Sequence, residues 1–220
     1  MNVKQLAAEK AVEHIEHGMT VGLGTGTTAY FAIQRIAARV KEGLGIRAVA
    51  SSMHSEELAR QLGIPIAPFA AIEGIDVTID GADEVDEALN LIKGGGGALL
   101  REKILAANSA KFIVIVDESK LVRKLGTFPL PVEVIPFAYE LTRRQVQALG
   151  CEPTLRTVDG KTFVTDNGNF ILDCAFPVID NPADLSGKLH LIPGVAEHGL
   201  FVKMTDTVII GSGDGTTRYL

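Results

Sequence analysis

The sequence predicts an α/β protein with a Rossmann-like, largely parallel sheet and helices on both faces, together with a smaller α+β domain of ferredoxin-like type. Three observations lead to this prediction. Early in the chain, short apolar segments alternate with segments of helical periodicity, the pattern of βαβ units. Residues 112–116 (Phe-Ile-Val-Ile-Val) are apolar without alternation, which is typical of a strand buried on both faces. Beyond residue 129 the predicted order becomes βαββαβ, as in ferredoxin-like domains.

The elements of the first domain follow from local patterns. Residues 1–18 interleave Lys and Glu with apolar side chains, which indicates an amphipathic helix and not a secretory signal. Gly63 is suited to end a helix, because glycine readily adopts the left-handed conformation. The predicted strands are 20–23, 46–50, 64–66, 75–79 and 112–116, and the further helices are 28–40, 55–62 and 98–107.

The second domain is expected to begin near two prolines spaced by one residue, Pro129 and Pro131, which suit a linker. The predicted limits are 1–128 with 203–220 for the Rossmann-like domain and 129–202 for the small one. An Asn-Gly turn within 166–169 predicts a β-hairpin, and the apolar run 207–210 is expected to return to the first sheet. The predicted strands are 132–135, 162–165, 170–173 and 199–202, and the helices are 139–149 and 182–190.

Composition excludes several classes of protein. The net charge of −6 argues against a nucleic-acid or acidic-membrane partner, and no apolar run approaches the roughly 20 residues that span a bilayer. The two cysteines, Cys151 and Cys174, lie in separate predicted strands. We therefore expect no disulfide framework, and we expect a cytoplasmic location.

The first chemical motif is Gly-Leu-Gly-Thr-Gly-Thr-Thr at 22–28, between a predicted strand and a helix. Small residues and free helix N–H groups suit an anion, so we expect a phosphate on Thr25, Gly26, Thr27 and Thr28. A dinucleotide site also fits the glycine spacing, yet the acidic residue expected after the second strand is missing. The motif is not a Walker loop, because it lacks the Gly-Lys-Ser/Thr ending. A plain tight turn that binds no ligand remains an alternative.

The second motif, Asp-Gly-Ala-Asp-Glu at 80–84, follows a predicted strand. Ligands of open α/β sheets bind beyond the carboxyl ends of strands. Gly81 permits a sharp turn that can bring Asp80 and Asp83 to one cleft, and two nearby carboxylates can share a proton and supply an acid. A local role of aspartate in turns is the alternative. A metal site is not expected, because no histidine or cysteine accompanies the motif and the histidines are scattered along the chain.

The third motif places four glycines, 94–97, between Lys93 and a predicted helix that contains Glu102. Consecutive glycines are costly to order, and a flexible linker would be more polar at its ends. We therefore expect close approach of this backbone to a ligand, with Lys93 as a fixed cation. The alternative for Glu102 is an exposed helical acid paired with a neighbour.

Together the motifs resemble those of the ribose-5-phosphate isomerase A family. The resemblance includes Gly-Thr-Gly-Thr-Thr-Ala at 24–29, Lys-Gly-Gly-Gly-Gly-Ala at 93–98 and Asp-Glu-Ser-Lys at 117–120, and it extends over nearly the whole chain. Thr27 replaces the serine usual in the family and keeps the hydroxyl. The resemblance implies interconversion of ribose 5-phosphate and ribulose 5-phosphate through an enediol, in the non-oxidative pentose phosphate pathway, without metal or organic cofactor. It also implies a homodimer or homotetramer.

The resemblance implies a role for each candidate residue. Glu102 would move the proton between C1 and C2, Lys93 would stabilise the enediolate, and Asp80 or Asp83 would open the sugar ring. The substrate would be bound by Thr25, Gly26, Thr27, Thr28, Gly81, Ala82, Gly94, Gly95, Gly96 and Lys120. Three alternatives stay open: a sugar-phosphate sensor, a nicotinamide-dependent oxidoreductase, and an amino-sugar phosphate deaminase.

Overall fold

The computed structural model describes residues 2–220 and contains six α-helices and fifteen strands within that range. The helices are α1 Val3–Val12, α2 Thr27–Lys41, α3 Met53–Gln61, α4 Leu99–Ala107, α5 Tyr139–Gln147 and α6 Pro182–His190. The strands are β1 Thr20–Leu23, β2 Arg47–Ala50, β3 Val77–Asp80, β4 Glu84–Val85, β5 Leu91–Ile92, β6 Phe112–Asp117, β7 Leu130–Val134, β8 Glu152–Leu155, β9 Thr157–Val158, β10 Lys161–Thr162, β11 Phe170–Ala175, β12 Val195–His198, β13 Leu200–Phe201, β14 Thr207–Gly211 and β15 Thr217–Tyr219. Two short 3₁₀ turns lie at Phe69–Ala71 and Glu118–Lys120.

The chain forms two compact units. The first consists of 1–82, 101–120 and 204–220, and the second of 83–100 and 121–203. Relative to the predicted limits, residues 83–100, 121–128 and 203 lie in the second unit. Which segments fold independently stays a prediction.

The first unit is built on a six-stranded sheet in the order β15-β14-β6-β3-β1-β2. Five of these strands pair in parallel, and only β15 runs antiparallel, against β14. The expected return of residues 207–210 to this sheet is confirmed, because β14 pairs with β6. β6 is buried along almost its whole length, in agreement with its unbroken apolar pattern.

Both faces of this sheet carry helices. Ala48 belongs to the main core with residues of α1 and α2, such as Ala8 and Ile33. The next residue, Val49, packs instead with Leu105 of α4. Because successive side chains of a strand point to opposite faces, α4 covers the face opposite to α1 and α2. The predicted Rossmann-like arrangement is confirmed.

The second unit contains a four-stranded antiparallel sheet in the order β12-β7-β11-β8. With α5 after β7 and α6 after β11, it has the βαββαβ order of a ferredoxin-like domain, as predicted. A separate three-stranded sheet in the order β13-β5-β4 supports the residues around the glycine run. The core of the second unit includes Val132, Leu172 and Leu189.

Three details differ from the sequence prediction. The predicted hairpin of 162–165 with 170–173 is wrong, because β10 pairs with β9 instead. The reason is the Asp159-Gly160 turn, whose residues have φ of 52° and 74° and so match the two-residue turn favoured in hairpins. The predicted strand 199–202 is β13, with β12 ending just before it, and residues 64–66 contribute only a single bridge, from Ile66 to Ala48.

Among residues 2–220, no helix combines the length and apolar character needed to cross a membrane.

Candidate active site

In the first unit, the loop after β1 leads directly into the first turn of α2. Gly26 precedes the helix with φ of +102°, a conformation that favours glycine. Because Gly26 has no side chain that could cap the helix, the first N–H groups of α2 and the positive end of its dipole are suited to an anion. Thr27 and Thr28 are the first two residues of α2, so the predicted phosphate loop has the expected local geometry.

Thr25 is held by the protein itself. Its hydroxyl lies 2.7 Å from the Ser51 hydroxyl and donates to Ser52 Oγ at 2.9 Å. Its N–H donates to Asp80 Oδ1 at 3.0 Å, and Ser55 Oγ donates to the carbonyl of Gly24 at 2.8 Å. These bonds fix the shape of the loop. A contact of Thr25 with substrate stays a prediction.

Lys4, in the first turn of α1, lies near the predicted phosphate loop and belongs to none of the motifs of the sequence. Its Nζ donates to the hydroxyl of Thr27 at 3.0 Å. The two lie 23 positions apart in the sequence, and no local pattern distinguishes this lysine from the others of the same helix. Only the packing of α1 beside α2 could identify it.

Asp80 is the last residue of β3 and its side chain is almost fully buried, with 1% exposed. Its Oδ1 accepts the N–H of Thr25 and, at 2.7 Å, the N–H of Gly81. A Cβ at Gly24 would lie 2.1 Å from the same oxygen, so only glycine fits there. A Cβ at Gly81 would lie 3.9 Å from Thr28 Cβ. The structure thus brings Asp80 and Gly81 to the loop after β1, where the phosphate is predicted to bind.

Glu102 lies in the first turn of α4 and is 4% exposed. Because Glu102 is buried, the alternative of an exposed helical acid is wrong. Burial of a carboxylate is costly unless other groups compensate it. Lys120 ends the 3₁₀ turn Glu118–Lys120 and is half-buried, as is Ala82.

In the second unit, Asp83 and the glycine run are directly joined. Asp83 Oδ2 accepts the N–H of Gly95 at 2.8 Å, and the Asp83 N–H donates to the carbonyl of Ile92 at 2.8 Å. Gly95 and Gly96 are exposed, whereas Gly94 is buried. Asp83 therefore supports the glycine turn, a contact that the sequence pattern did not predict.

Lys93 is 2% exposed. Its N–H donates to the carbonyl of Gly199 at 2.8 Å, and its Nζ lies 5.4 Å from the centre of the Phe201 ring. A buried ammonium is costly, and contact with an aromatic face offsets part of that cost. These contacts hold the Lys93 side chain in place, and its role as a cation stays a prediction.

The fold corrects the view that the histidines are scattered. Among residues 2–220, His190, Glu197 and His198 are close enough to hold a metal ion. However, His198 Nδ1 accepts the N–H of Leu200 at 3.2 Å, so in neutral His198 the proton is on Nε2, the nitrogen that faces Glu197 Oε1 at 3.7 Å. Metal binding at that nitrogen would require the other tautomer and the loss of the Leu200 bond.

Comparison with known proteins identifies the family. The family described as ribose 5-phosphate isomerase A (phosphoriboisomerase A) matches residues 47–215. A protein of Bacillus mycoides named ribose-5-phosphate isomerase A is 54% identical over the full length of both chains. The chain belongs to the ribose-5-phosphate isomerase A family. A protein of the same name from Sphingopyxis alaskensis is 51% identical over 96% of this chain and 92% of its own.

Solved structures of the family have the same fold. A D-ribose-5-phosphate isomerase in complex with phospho-erythronic acid superimposes with a TM-score of 0.96, at 42% identity, over 100% of this chain and 99% of the other. The ribose 5-phosphate isomerase A of Methanocaldococcus jannaschii gives a TM-score of 0.94 at 41% identity, over 99% and 97% of the two chains. The family resemblance seen in the motifs is therefore confirmed.

Proposed function

We propose that the chain is an aldose–ketose isomerase that interconverts D-ribose 5-phosphate and D-ribulose 5-phosphate through an enediol. The observation that carries the proposal is the burial of Asp80, Lys93 and Glu102, each at most 4% exposed, in a member of this family. Burying a charged side chain costs several kcal/mol, and these three residues belong to the motifs that the chain shares with the family.

The phosphate of the substrate is assigned to the beginning of α2. The N–H groups and hydroxyls of Thr27 and Thr28 supply donors, and Lys4 supplies a cation that already contacts Thr27. In a chain of net charge −6, such local groups must provide the attraction for a dianion, because the overall field does not. Lys120 is the further predicted substrate contact.

Proton transfer is assigned to Glu102. It would remove the C2 proton of the open-chain aldose while O1 takes up a proton. It would then return the proton to C1 of the enediol while the O2 hydroxyl loses its own, so that Glu102 acts as a general base and then a general acid. The negative charge that develops on the oxygen would be stabilised by Lys93 and by N–H groups of the glycine turn, an effect worth about 3–4 kcal/mol per well-placed donor. Asp80 and Asp83 are the candidates for proton transfer to and from the ring oxygen when the furanose opens.

The decisive experiment is to incubate the purified protein with ribose 5-phosphate and measure ketose formation, with EDTA and no added metal. We expect turnover that survives EDTA, because the groups assigned to the reaction are side chains and backbone N–H groups. Glu102→Gln keeps the size and removes the base, so we expect a loss of about 10²-fold or more in kcat.

Glu57→Gln is the matched control, since it removes a carboxylate from exposed α3. Absence of ketose from folded wild-type protein would refute the proposed function. Near-normal turnover of the Glu102 variant would remove Glu102 from its role, and a strict need for a divalent ion would refute the metal-free mechanism.

We also propose that the chain forms a homodimer or homotetramer and acts in the cytoplasm. Large apolar side chains remain exposed in the second unit, among them Phe137 at 87%, Leu191 at 82% and Leu141 at 56%. Exposed apolar surface of this kind is typical of subunit contacts. Light scattering after size exclusion would test the assembly, and a monomer would refute it. The two cysteines are free and buried, which supports a reducing compartment.

A further inference from the structure

Arg156 belongs to the second unit and to none of the motifs found in the sequence. It lies directly after β8, and its backbone is fixed on both sides. Its N–H donates to the carbonyl of Ile171 at 2.9 Å, and its carbonyl accepts the N–H of Phe163 at 2.9 Å. The starting point of the side chain is therefore well defined.

One side of the guanidinium is bound by Asp173. Nε donates to Asp173 Oδ2 at 2.9 Å and Nη2 donates to Oδ1 at 2.5 Å, which is the two-point geometry of a strong arginine–carboxylate pair. The Arg156 side chain is only 12% exposed. Water therefore weakens this pair less than it weakens a surface ion pair.

The remaining nitrogen reaches the glycine run. Nη1 donates to the carbonyl of Gly94 at 2.8 Å and to the carbonyl of Gly95 at 3.3 Å. The Gly94 carbonyl also accepts the N–H of Gly97 at 3.0 Å, which closes the turn. Phe163 lies against the turn, because its ring atoms are 2.4 and 2.6 Å from the position of a Cβ on Gly97.

These bonds determine which way the peptide groups of the turn face. In a planar trans peptide the C=O and the following N–H point in opposite directions. The Gly94 carbonyl points to Arg156, and the N–H of Gly95 accordingly points to Asp83, to which it donates. By the same geometry, the Gly95 carbonyl on Arg156 turns the N–H of Gly96 away from the arginine. Gly96 is exposed.

We propose that Arg156, held by Asp173, is a positioning residue for the isomerase reaction. It orients the glycine turn so that the N–H of Gly96 is presented to the oxygen that becomes negative in the enediolate. The proposal rests on the proposed function, because it assigns the turn to that oxygen. Four glycines in succession have little conformational preference of their own, so the orientation must come from outside the turn.

The test is Arg156→Lys, which keeps the positive charge but has a single side-chain nitrogen. That nitrogen cannot bind both oxygens of Asp173 and also the carbonyls of Gly94 and Gly95. We expect kcat to fall by about 10- to 100-fold, as for a misplaced oxyanion donor. The KM for ribose 5-phosphate should stay within about threefold, because ground-state binding depends on the phosphate.

Phospho-erythronic acid is the second probe. Its carboxylate carries a negative charge in the place of the enediolate oxygen, so a donor that acts on the transition state should also bind this acid. We expect its Kd to rise by about the factor by which kcat/KM falls. A residue that only stabilises the fold would lower the melting temperature without this selective loss.

Arg143→Ala is the matched control. Arg143 lies in the same unit, donates from Nε to the carbonyl of Pro153 at 3.0 Å and is half-exposed. Its kcat and its affinity for the acid should remain at the wild-type level. If Arg156→Lys does not fold, Asp173→Asn tests the same support, and we expect the same selective pattern with a smaller factor.

The proposal is overturned if the folded Arg156 variant keeps wild-type kcat. It is also overturned if kcat falls while the Kd of the acid is unchanged. In that case, if the wild-type protein forms ketose and Glu102→Gln is inactive, only the role of Arg156 is refuted and the proposed function stands.

Discussion

Gly24→Ala should damage the site through a single added methyl group. The new Cβ would lie 2.1 Å from Asp80 Oδ1 and 2.3 Å from its Cγ, whereas ordinary contacts of a Cβ begin at 3.4 Å. The Asp80 side chain would have to move by about 1 Å or more, and a displacement of that size in a catalytic group costs about 10²-fold in rate. It would also lose or strain the bond from the N–H of Thr25.

The expected loss of stability is about 1–3 kcal/mol, the usual cost of overpacking a well-packed interior. The assays are ketose formation from ribose 5-phosphate and thermal unfolding. Gly74→Ala is the matched control, since a Cβ there meets nothing within 4 Å and its backbone is not in the left-handed region. That variant should keep wild-type activity and stability.

A double-mutant cycle separates the clash from other effects. In an Asp80→Gly background the clashing atoms are absent, so Gly24→Ala should cost little stability there. The reasoning is refuted if Gly24→Ala retains wild-type kcat/KM. It is also refuted if the loss of stability is the same with and without the Asp80 side chain.

Three further predictions follow from the contacts described. Thr28→Val should raise the KM for ribose 5-phosphate by about tenfold with little change in kcat, and an effect on kcat alone would contradict a phosphate contact. Glu133 is fully buried, and its Oε1 accepts hydrogen bonds from Thr165, Asn167 and Asn169 at 2.9–3.0 Å. Glu133→Ala should therefore lower the free energy of unfolding by about 3–5 kcal/mol, and Glu133→Gln should lower it by less. Equal losses for the two variants in denaturant titrations would refute a stabilising role of these hydrogen bonds. Burial, and after it the charge of the nearby Lys111, lowers the pKa of His14. The contribution of neutral His14 to stability is therefore present above the unfolded pKa near 6.5 and is lost as the pH falls below that value. The melting temperature should fall more between pH 7.5 and pH 5 in the wild type than in His14→Gln, and identical falls in the two proteins would contradict this.

Much of the fold could be predicted because its elements are encoded locally. The bounds of β1 and α6 agree with the apolar runs and the helix-start signals of the sequence, since periodicity and capping act over a few residues. The hairpin of β9 and β10 was missed because two turn signals, at 159–160 and 166–169, competed for the same segment. In the structure the second turn is bound to Glu133, a contact across more than thirty residues that no turn rule includes.

The sequence by itself determined the family, because glycine runs and carboxylates in a fixed order form a specific pattern. It also predicted the phosphate loop and the set of charged residues Asp80, Asp83, Lys93 and Glu102. Only the tertiary structure decided how the groups are supported. The contact of Lys4 with Thr27 and that of Arg156 with Gly94 join residues 23 and 62 positions apart. Such contacts depend on how helices and strands pack, and local sequence patterns do not predict that packing.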